Sequence, residues 1–380
     1  MTKPNKSQST QKTKVTQAKR RDFIKKGSSG LLAGAIATAF PSYAISALKN
    51  KKVGVALVGL GHYSEHLLAP ALQQTKHCEL RGIVTGSPSK VPKWQQRYQI
   101  PDTNVYSYEN MHTIANNPDI DVVYVVVPTA LHLKYAEIGA NAGKHVWCEK
   151  PMAMTVEQCQ RMIDTCNKNK VQLTVGYRMQ HEPNTRKFRQ YAVNKKFGEV
   201  KSAFARAGYA GNGFPEDNWR MKKAMGGGAM YDMGVYPVNG VRFLTNMEPV
   251  SILASLDKSH PHIFKEVDET MNFTLGFANG VTADCATSTV ISYNTIEVTS
   301  QNGSYSLTPM SEYSGVKGKT SDGEILPAIK GMQQTLQMDN DALAILNKGP
   351  ILVSGEDGMR DINIVQSAFK SAASGKLVML

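Results

Sequence analysis

The chain is poor in cysteine. Its 380 residues hold Cys78, Cys148, Cys159, Cys166 and Cys285, an odd number with no CxxC pair, so neither a disulfide framework nor a zinc site is indicated. These thiols read as small core residues. Long apolar runs are missing too. The stretch Gly27 to Phe40 is short and broken by Gly, Ser and Thr, whereas a membrane span needs about 18 or more apolar residues. No stable membrane span is therefore expected. Acidic residues are scarce at one end only: residues 1–52 carry 12 Lys and Arg against the single acid Asp22, so they hold +11 of the net +13 and leave +2 for the rest. A basic leader explains the charge, and a nucleic-acid partner loses its main support. Internal repeats are absent and the polar leader is the one low-complexity region, while the length and the 41% hydrophobic content suit a globular protein of two domains.

The leader has a logic of its own. A Lys-rich stretch ends in Lys19-Arg20-Arg21-Asp22-Phe23-Ile24-Lys25-Lys26, the weakly apolar Gly27–Phe40 comes next, and Ser42-Tyr43-Ala44 supplies small residues for a signal peptidase. Residues 1–48 resemble a twin-arginine export signal, which predicts a periplasmic or exported protein. That route carries folded proteins, so a cofactor can be trapped before export.

Past the leader, strands and helices alternate. Val53 to Val58 is an apolar β-type run, Gly59-Leu60-Gly61 a turn, and Ser64 to Gln74 has apolar residues at helical spacing. Strands are expected at 79–85, 121–127, 145–148 and 171–176, with helices at 88–98, 130–142 and 155–169 between them. This pattern predicts a parallel doubly wound sheet, an α/β Rossmann domain over residues 52–176. Beyond it, after a helix at 183–196, the segments 250–257, 270–277, 280–289 and 292–300 alternate like an antiparallel meander, and helices at 332–348 and 357–374 close the chain. Residues 177–380 are thus expected to form an α+β substrate and oligomerisation domain. An open sheet of this kind needs its second face covered, by helices or by another subunit, and the second case would make the protein a homodimer or homotetramer.

Ligands of such sheets bind beyond the carboxyl ends of the strands. Gly59 allows the tight turn, and Gly61 lets a pyrophosphate reach the backbone N–H groups near Tyr63 and Ser64 at the helix start; Ser64 stands where the usual fingerprint has a third glycine. The second strand ends in Thr85-Gly86-Ser87 with Lys90 nearby and no carboxylate, a set that favours NADP over NAD. The third long strand runs into Pro128-Thr129 with His132 beyond, a candidate for the cofactor pocket. The next ends in Cys148-Glu149-Lys150-Pro151, where Lys150, partly withdrawn from water, suits proton transfer or hydrogen bonding to a sugar hydroxyl. Pro151 can fix the turn through a cis bond. His260-Pro261-His262 has no third ligand and reads as a loop, so no metal is expected.

Gly59-Leu60-Gly61, Glu149-Lys150-Pro151-Met152 and the segment Gly226-Gly227-Gly228-Ala229-Met230-Tyr231-Asp232-Met233-Gly234-Val235-Tyr236 together closely resemble the Gfo/Idh/MocA oxidoreductases from about residue 52 to 380. Tyr177-Arg178, Glu182-Pro183, Asn218-Trp219-Arg220 and the exported leader are most similar to the glucose-fructose oxidoreductase branch. The resemblance implies a Rossmann domain followed by an α+β domain with a large, mostly antiparallel sheet used for dimerisation. It also implies Lys150, Asp232 and Tyr236 as catalytic residues, Glu149 and Arg178 at the cofactor, and Arg178, Trp219 and Arg220 beside the substrate. Many members have His where Tyr236 stands; Tyr suits the sugar branch. Asp232 and Tyr236 are i and i+4 on a helix, so they share a face. The implied activity is hydride transfer to or from a sugar, with NADP retained through the cycle. The alternative from the same family is an NAD-dependent glycoside hydrolase acting by oxidation and elimination, and a third reading is a non-catalytic sensor.

Overall fold

The computed structural model describes residues 52–211 and 214–380, so the export signal read at 1–48 lies outside the described residues. Six parallel strands build the first sheet: β1 (Val53–Val58), β2 (Cys78–Val84), β3 (Val105–Tyr106), β4 (Val122–Val125), β5 (His145–Cys148) and β6 (Leu173–Val175), in the order β3-β2-β1-β4-β5-β6. Every residue of β1 and of β4 is buried, because helices cover both faces. The order reverses between β1 and β4, and the carboxyl ends of the strands open a crevice there. This is the doubly wound sheet expected from the strand and helix alternation.

One expected helix takes another form. Residues 64–72 run as a π-helical turn, Ser64–Leu68, into the short α-helix Ala69–Leu72. Pro70 has no N–H to offer the preceding turn, so a regular i→i+4 ladder cannot pass through it.

The second sheet has nine strands: β7 (Val200–Gly208), β8 (Pro249–Asp257), β9 (Thr270–Phe277), β10 (Thr282–Ser288), β11 (Tyr293–Ser300), β12 (Gly303–Leu307), β13 (Gly318–Thr320), β14 (Ile325–Leu326) and β15 (Val378–Met379). They lie in the order β14-β13-β12-β11-β7-β10-β9-β8-β15. The sheet is mostly antiparallel, as expected, but not a simple meander: β7 inserts beside β10 in parallel, while its other neighbour, β11, runs antiparallel. Alternation sets the faces, with Ile296 and Val298 of β11 buried and Glu297 and Thr299 exposed. The helix Gly355–Ser374 backs the inner face, where Ser371 Oγ accepts the Ala254 N–H at 2.9 Å. Leu253, on the other face, remains exposed.

The C-terminal segment returns to the first sheet. Met338 and Ala342 of the helix Gln333–Ile345 share a core with Val53, Leu57 and Trp147, and Asp339 accepts the N–H groups of Lys76 and His77, each at 2.8 Å. Lys52–Leu380 accordingly cluster as one unit.

Candidate active site

The crevice begins at the glycine turn. Gly59 has φ +99°, and a Cβ there would lie 2.5 Å from the Val126 carbonyl oxygen, so only glycine fits. At Gly61 nothing lies within 4 Å of where a Cβ would stand, which leaves the backbone open to a ligand. Ser64 does something other than line that opening: it is buried, and its Oγ donates to the Gly59 carbonyl at 2.5 Å, locking the turn from inside. Lys90 reaches across to donate to the Leu60 carbonyl at 2.6 Å, so its ammonium stands over the turn. Thr85 Oγ1 accepts the Ser87 N–H at 3.0 Å, and that bond shapes the end of β2. Tyr63 packs at a tilt against Tyr313, ring centroids 5.8 Å apart, and accepts from Gln334 at 3.3 Å; burial, then the Glu149 charge, pushes its phenol pKa up.

Behind Pro128 and Thr129, His132 is buried with its Nδ1 2.9 Å from the Pro151 carbonyl oxygen and Nε2 2.8 Å from that of Val127. Both ring nitrogens are thus spent on backbone, and burial draws its pKa down. His132 is a strut between the ends of β4 and β5 rather than a group with a ring nitrogen to offer a cofactor. Glu149 is also enclosed. Its Oε1 accepts from Tyr124 at 2.7 Å and its Oε2 from the Lys150 N–H at 3.2 Å, and burial raises its pKa. Tyr124 in turn accepts from Gln337 at 2.9 Å.

The Lys150–Pro151 bond is cis. The Lys150 ammonium donates to the Asp232 main-chain carbonyl at 2.7 Å, lies 3.9 Å from Asp232 Oδ1 and sits 4.4 Å from the centroid of the Tyr236 ring. Asp232 Oδ2 accepts from Tyr209 at 3.3 Å and from Arg220 Nε at 3.2 Å, so its Oδ1 is the oxygen turned toward Lys150. The Tyr236 hydroxyl meets Arg178, whose Nη2 lies 3.3 Å away. Arg178 is buried, donates to Gln333 Oε1 at 2.7 Å and to the main-chain oxygens of Ser311 and Glu312, and lies 4.6 Å from the Tyr313 ring centroid. Its Nε is buried with no partner among the described residues. Trp219 forms a platform under the Arg220 guanidinium at 4.4 Å, one step removed from Lys150.

Asp232 belongs to a second π-helical turn, Met230–Gly234, that leads into the α-helix Val235–Thr245. Its start is held by Asp268, which accepts the Met230 N–H through Oδ2 at 2.6 Å and the Ala229 N–H through its main-chain oxygen at 3.1 Å. Burial pushes the Asp268 carboxyl up to about 6. Gly228 has φ +100°, and a Cβ there would fall 2.0 Å from Asp268 Oδ1. Tyr209, Tyr313, Tyr124, Gln333 and Asp268 escaped the sequence reading. Tyr209 alone left a local signal, since it directly follows β7; the others are brought in by long-range packing. Among the described residues no cluster of three His, Cys, Asp or Glu stands ready to hold a metal, and His260 Nδ1 lies 3.0 Å from Glu269.

Known proteins resemble this chain in sequence and fold. The model of the GFO/IDH/MocA proteins, an oxidoreductase family with an NAD-binding Rossmann fold, matches residues 53–177, and its C-terminal-domain model matches 185–306. The crystal structure of aldose-aldose oxidoreductase from Caulobacter crescentus, complexed with glycerol, superposes with a TM-score of 0.82 at 33% identity, covering 87% of this chain and 100% of that one. The D-xylose 1-dehydrogenase [NADP(+)] of Haloarcula marismortui is 27% identical over 345 residues, 87% of this chain and 94% of that protein. A 3-ketoreductase from Actinomadura kijaniata, solved with TDP-benzene and NADP, shares the fold at a TM-score of 0.72 and 22% identity, covering 84% of this chain and 98% of that one.

Proposed function

Since the chain belongs to the Gfo/Idh/MocA oxidoreductase family, we propose that it is an NADP-dependent enzyme that moves a hydride to or from an oxygen-bearing carbon of a sugar. The observation that carries this reading is the convergence of the Lys150 ammonium, the Asp232 carboxylate and the Tyr236 phenol at the crevice. The likeness to an aldose-aldose oxidoreductase and to an NADP-dependent xylose dehydrogenase supports the substrate class and the cofactor.

The residues present fit a dinucleotide. The open space over Gly61 admits a pyrophosphate, and the Lys90 ammonium with Thr85 and Ser87, and no carboxylate among them, suits a 2′-phosphate. When bound, NADP supplies the hydride acceptor or donor. The protein's part is the proton. An alcohol that loses hydride must also lose its hydroxyl proton, and a base within hydrogen-bond reach has to take it. Tyr236 is that group: Arg178 donates to its oxygen and fixes it, and in the oxidation direction that oxygen must enter without its proton to take the one the alcohol loses, whereas in the reduction direction the phenol gives its proton to the forming alkoxide. Lys150 places a positive charge where an alkoxide develops, a stabilisation strengthened in a site with little water. Asp232, with Oδ2 held by Tyr209 and Arg220, presents Oδ1 to a substrate hydroxyl and orients it.

Retention of the nucleotide through a cycle in which one sugar reduces it and another reoxidises it belongs to the same proposal, as do export by the twin-arginine route and assembly of copies through the exposed face of the nine-stranded sheet. Retention would free an exported enzyme from any need for external NADP. Mass spectrometry of nucleotide released from native protein, with nicotinamide absorbance followed on adding aldoses, tests the reading. The expected result is bound NADP that an aldose reduces. Protein that carries no nucleotide, and gives no absorbance change with aldoses and added NADP, would sink it.

A further inference from the structure

A cavity of about 630 Å³ lies behind the helix that carries Tyr236, and none of Lys150, Asp232 or Tyr236 lines it. Its size is that of a small-molecule pocket. Arg242 occupies the floor, nearly fully buried, bonded to Glu248 and Asp357 at 2.7 Å each and to Asp361 at 2.5 Å. Its charge is therefore fully compensated from within the fold.

The wall is different. Arg186 and Arg189 are i and i+3 on the helix Pro183–Val193 and so project from one face of it into the cavity. Arg189 donates to the Phe243 carbonyl at 2.9 Å and stacks 4.5 Å over the Phe243 ring, and neither it nor Arg186 has a carboxylate partner among the described residues. Asp357 and Glu248 act on Arg189 only through space, so two neighbouring guanidiniums without a carboxylate bonded to them leave donors for a carboxylate or a phosphate. The rest of the lining is not that of a simple anion hole. Gln180 and Asn239 spend their amide N–H groups on Asn239, Asp357 and Asp361, so the exposed amide of Asn246 is the one open to a ligand, beside the carboxylate oxygens of Glu248 and Asp357, and a hydroxyl group both donates and accepts.

We propose that this cavity binds a small polyhydroxylated carboxylate, the class of a sugar acid, with its carboxylate on Arg186 and Arg189 and its hydroxyls on the amide and acid groups opposite. The binding does not depend on the reaction proposed above. Its link to that reaction does: oxidation of an aldose at the anomeric carbon gives a lactone, and water opens the lactone to an acid of this class.

Calorimetric titration of the full protein with gluconate, and with glucose and inorganic phosphate in parallel at fixed ionic strength, tests the proposal in wild type, Lys150→Ala and Arg186→Ala. Gluconate should bind wild type and Lys150→Ala alike, and about tenfold or more weakly to Arg186→Ala, since each charge-assisted bond lost is worth about that much. Arg186 is exposed, so the variant should melt like wild type; Arg189→Gln provides an independent second loss. Binding that vanishes in Lys150→Ala belongs to the active site and overturns the proposal. So does binding unchanged in both arginine variants, glucose binding as tightly as gluconate, or phosphate binding as tightly. Absence of sugar oxidation with gluconate binding intact would fail the functional reading alone.

Discussion

The Lys150 ammonium lies over the face of the Tyr236 ring, 4.4 Å from its centroid, and not beside its hydroxyl. The hydroxyl is held by Arg178 Nη2 at 3.3 Å. Two cations thus meet one phenol, Lys150 at the π-face and Arg178 at the oxygen. A cation over an aromatic face is attracted by the ring quadrupole, and removal from water strengthens that attraction. The arrangement assigns separable tasks to the two residues.

Lys150→Ala is expected to lower kcat on the order of 10² to 10⁴-fold, the usual weight of a positioned acid–base or charge-stabilising group. The dissociation constant for NADP should change little. Lys150→Arg should not restore the rate, because a planar guanidinium cannot both donate to the Asp232 carbonyl and lie against the ring as the point-like ammonium does. Steady-state kinetics beside nucleotide titration separates the two effects.

Tyr236→Phe keeps the ring under Lys150 and removes only the oxygen that Arg178 meets. Arg178 retains its bonds to Gln333, Ser311 and Glu312, so the fold should lose no more than about 1 to 2 kcal/mol. The rate should nonetheless fall by roughly 10² or more if the phenol carries the proton. A variant turning over within a fewfold of wild type would place the proton transfer elsewhere.

Gly228→Ala is expected to disable the site from a distance. The new methyl would meet Asp268 Oδ1 at a residue with φ +100°, and Asp268 is what holds the start of the turn bearing Asp232. Strain of this kind is worth on the order of 1 to 3 kcal/mol before any clash is counted. Thermal melting should show the loss, and kcat should drop even where the protein stays folded.

Lys90→Glu should invert cofactor preference. The ammonium stands over the glycine turn through its bond to Leu60, and a carboxylate in its place would repel a 2′-phosphate while accepting from a ribose hydroxyl. The ratio of kcat/KM for NADP to that for NAD should fall at least tenfold, measured with the nucleotide-stripped enzyme.

Asp341 makes stability depend on pH. It is buried beside Thr174 and Gln337, and burial pushes its carboxyl up to about 8, whereas an unfolded chain ionises the same group near about 3.9. Between those values the folded state holds a proton that the unfolded state has lost, so stability contributed by this group falls as pH rises from about 4 to 8. Asp341→Asn removes that loss. The variant should gain melting temperature over wild type at pH 8 and gain less, or nothing, at pH 5.

Much of the fold was legible locally. The unbroken apolar run of β1, the turn at Gly59 and the helical spacing after it are near-neighbour patterns, and each reports on one element's surroundings. Lys150 was legible for the same reason, being placed by a strand end and a proline. The roles of the Ser64 hydroxyl and the His132 ring within the fold were not, because position does not say which way a side chain turns: one faces a carbonyl inside its own turn, the other braces two strand ends. The insertion of β7 beside β10 had no local mark either, since pairing partners are chosen by the whole sheet.

The amino-acid order alone determined the runs that become β1, β2, β4, β5 and β6, where the backbone demands glycine, and the absence of a carboxylate where a 2′-phosphate could sit, since all three depend on steric and chemical properties within a few residues. Tertiary packing alone decided that Arg178 would hold the Tyr236 oxygen, that Asp268 would anchor the Asp232 turn, and that the Gln333–Ile345 helix would close over the first sheet. Those contacts join residues far apart in the chain, and they exist only because burying both sheets' apolar faces brings their polar edges together.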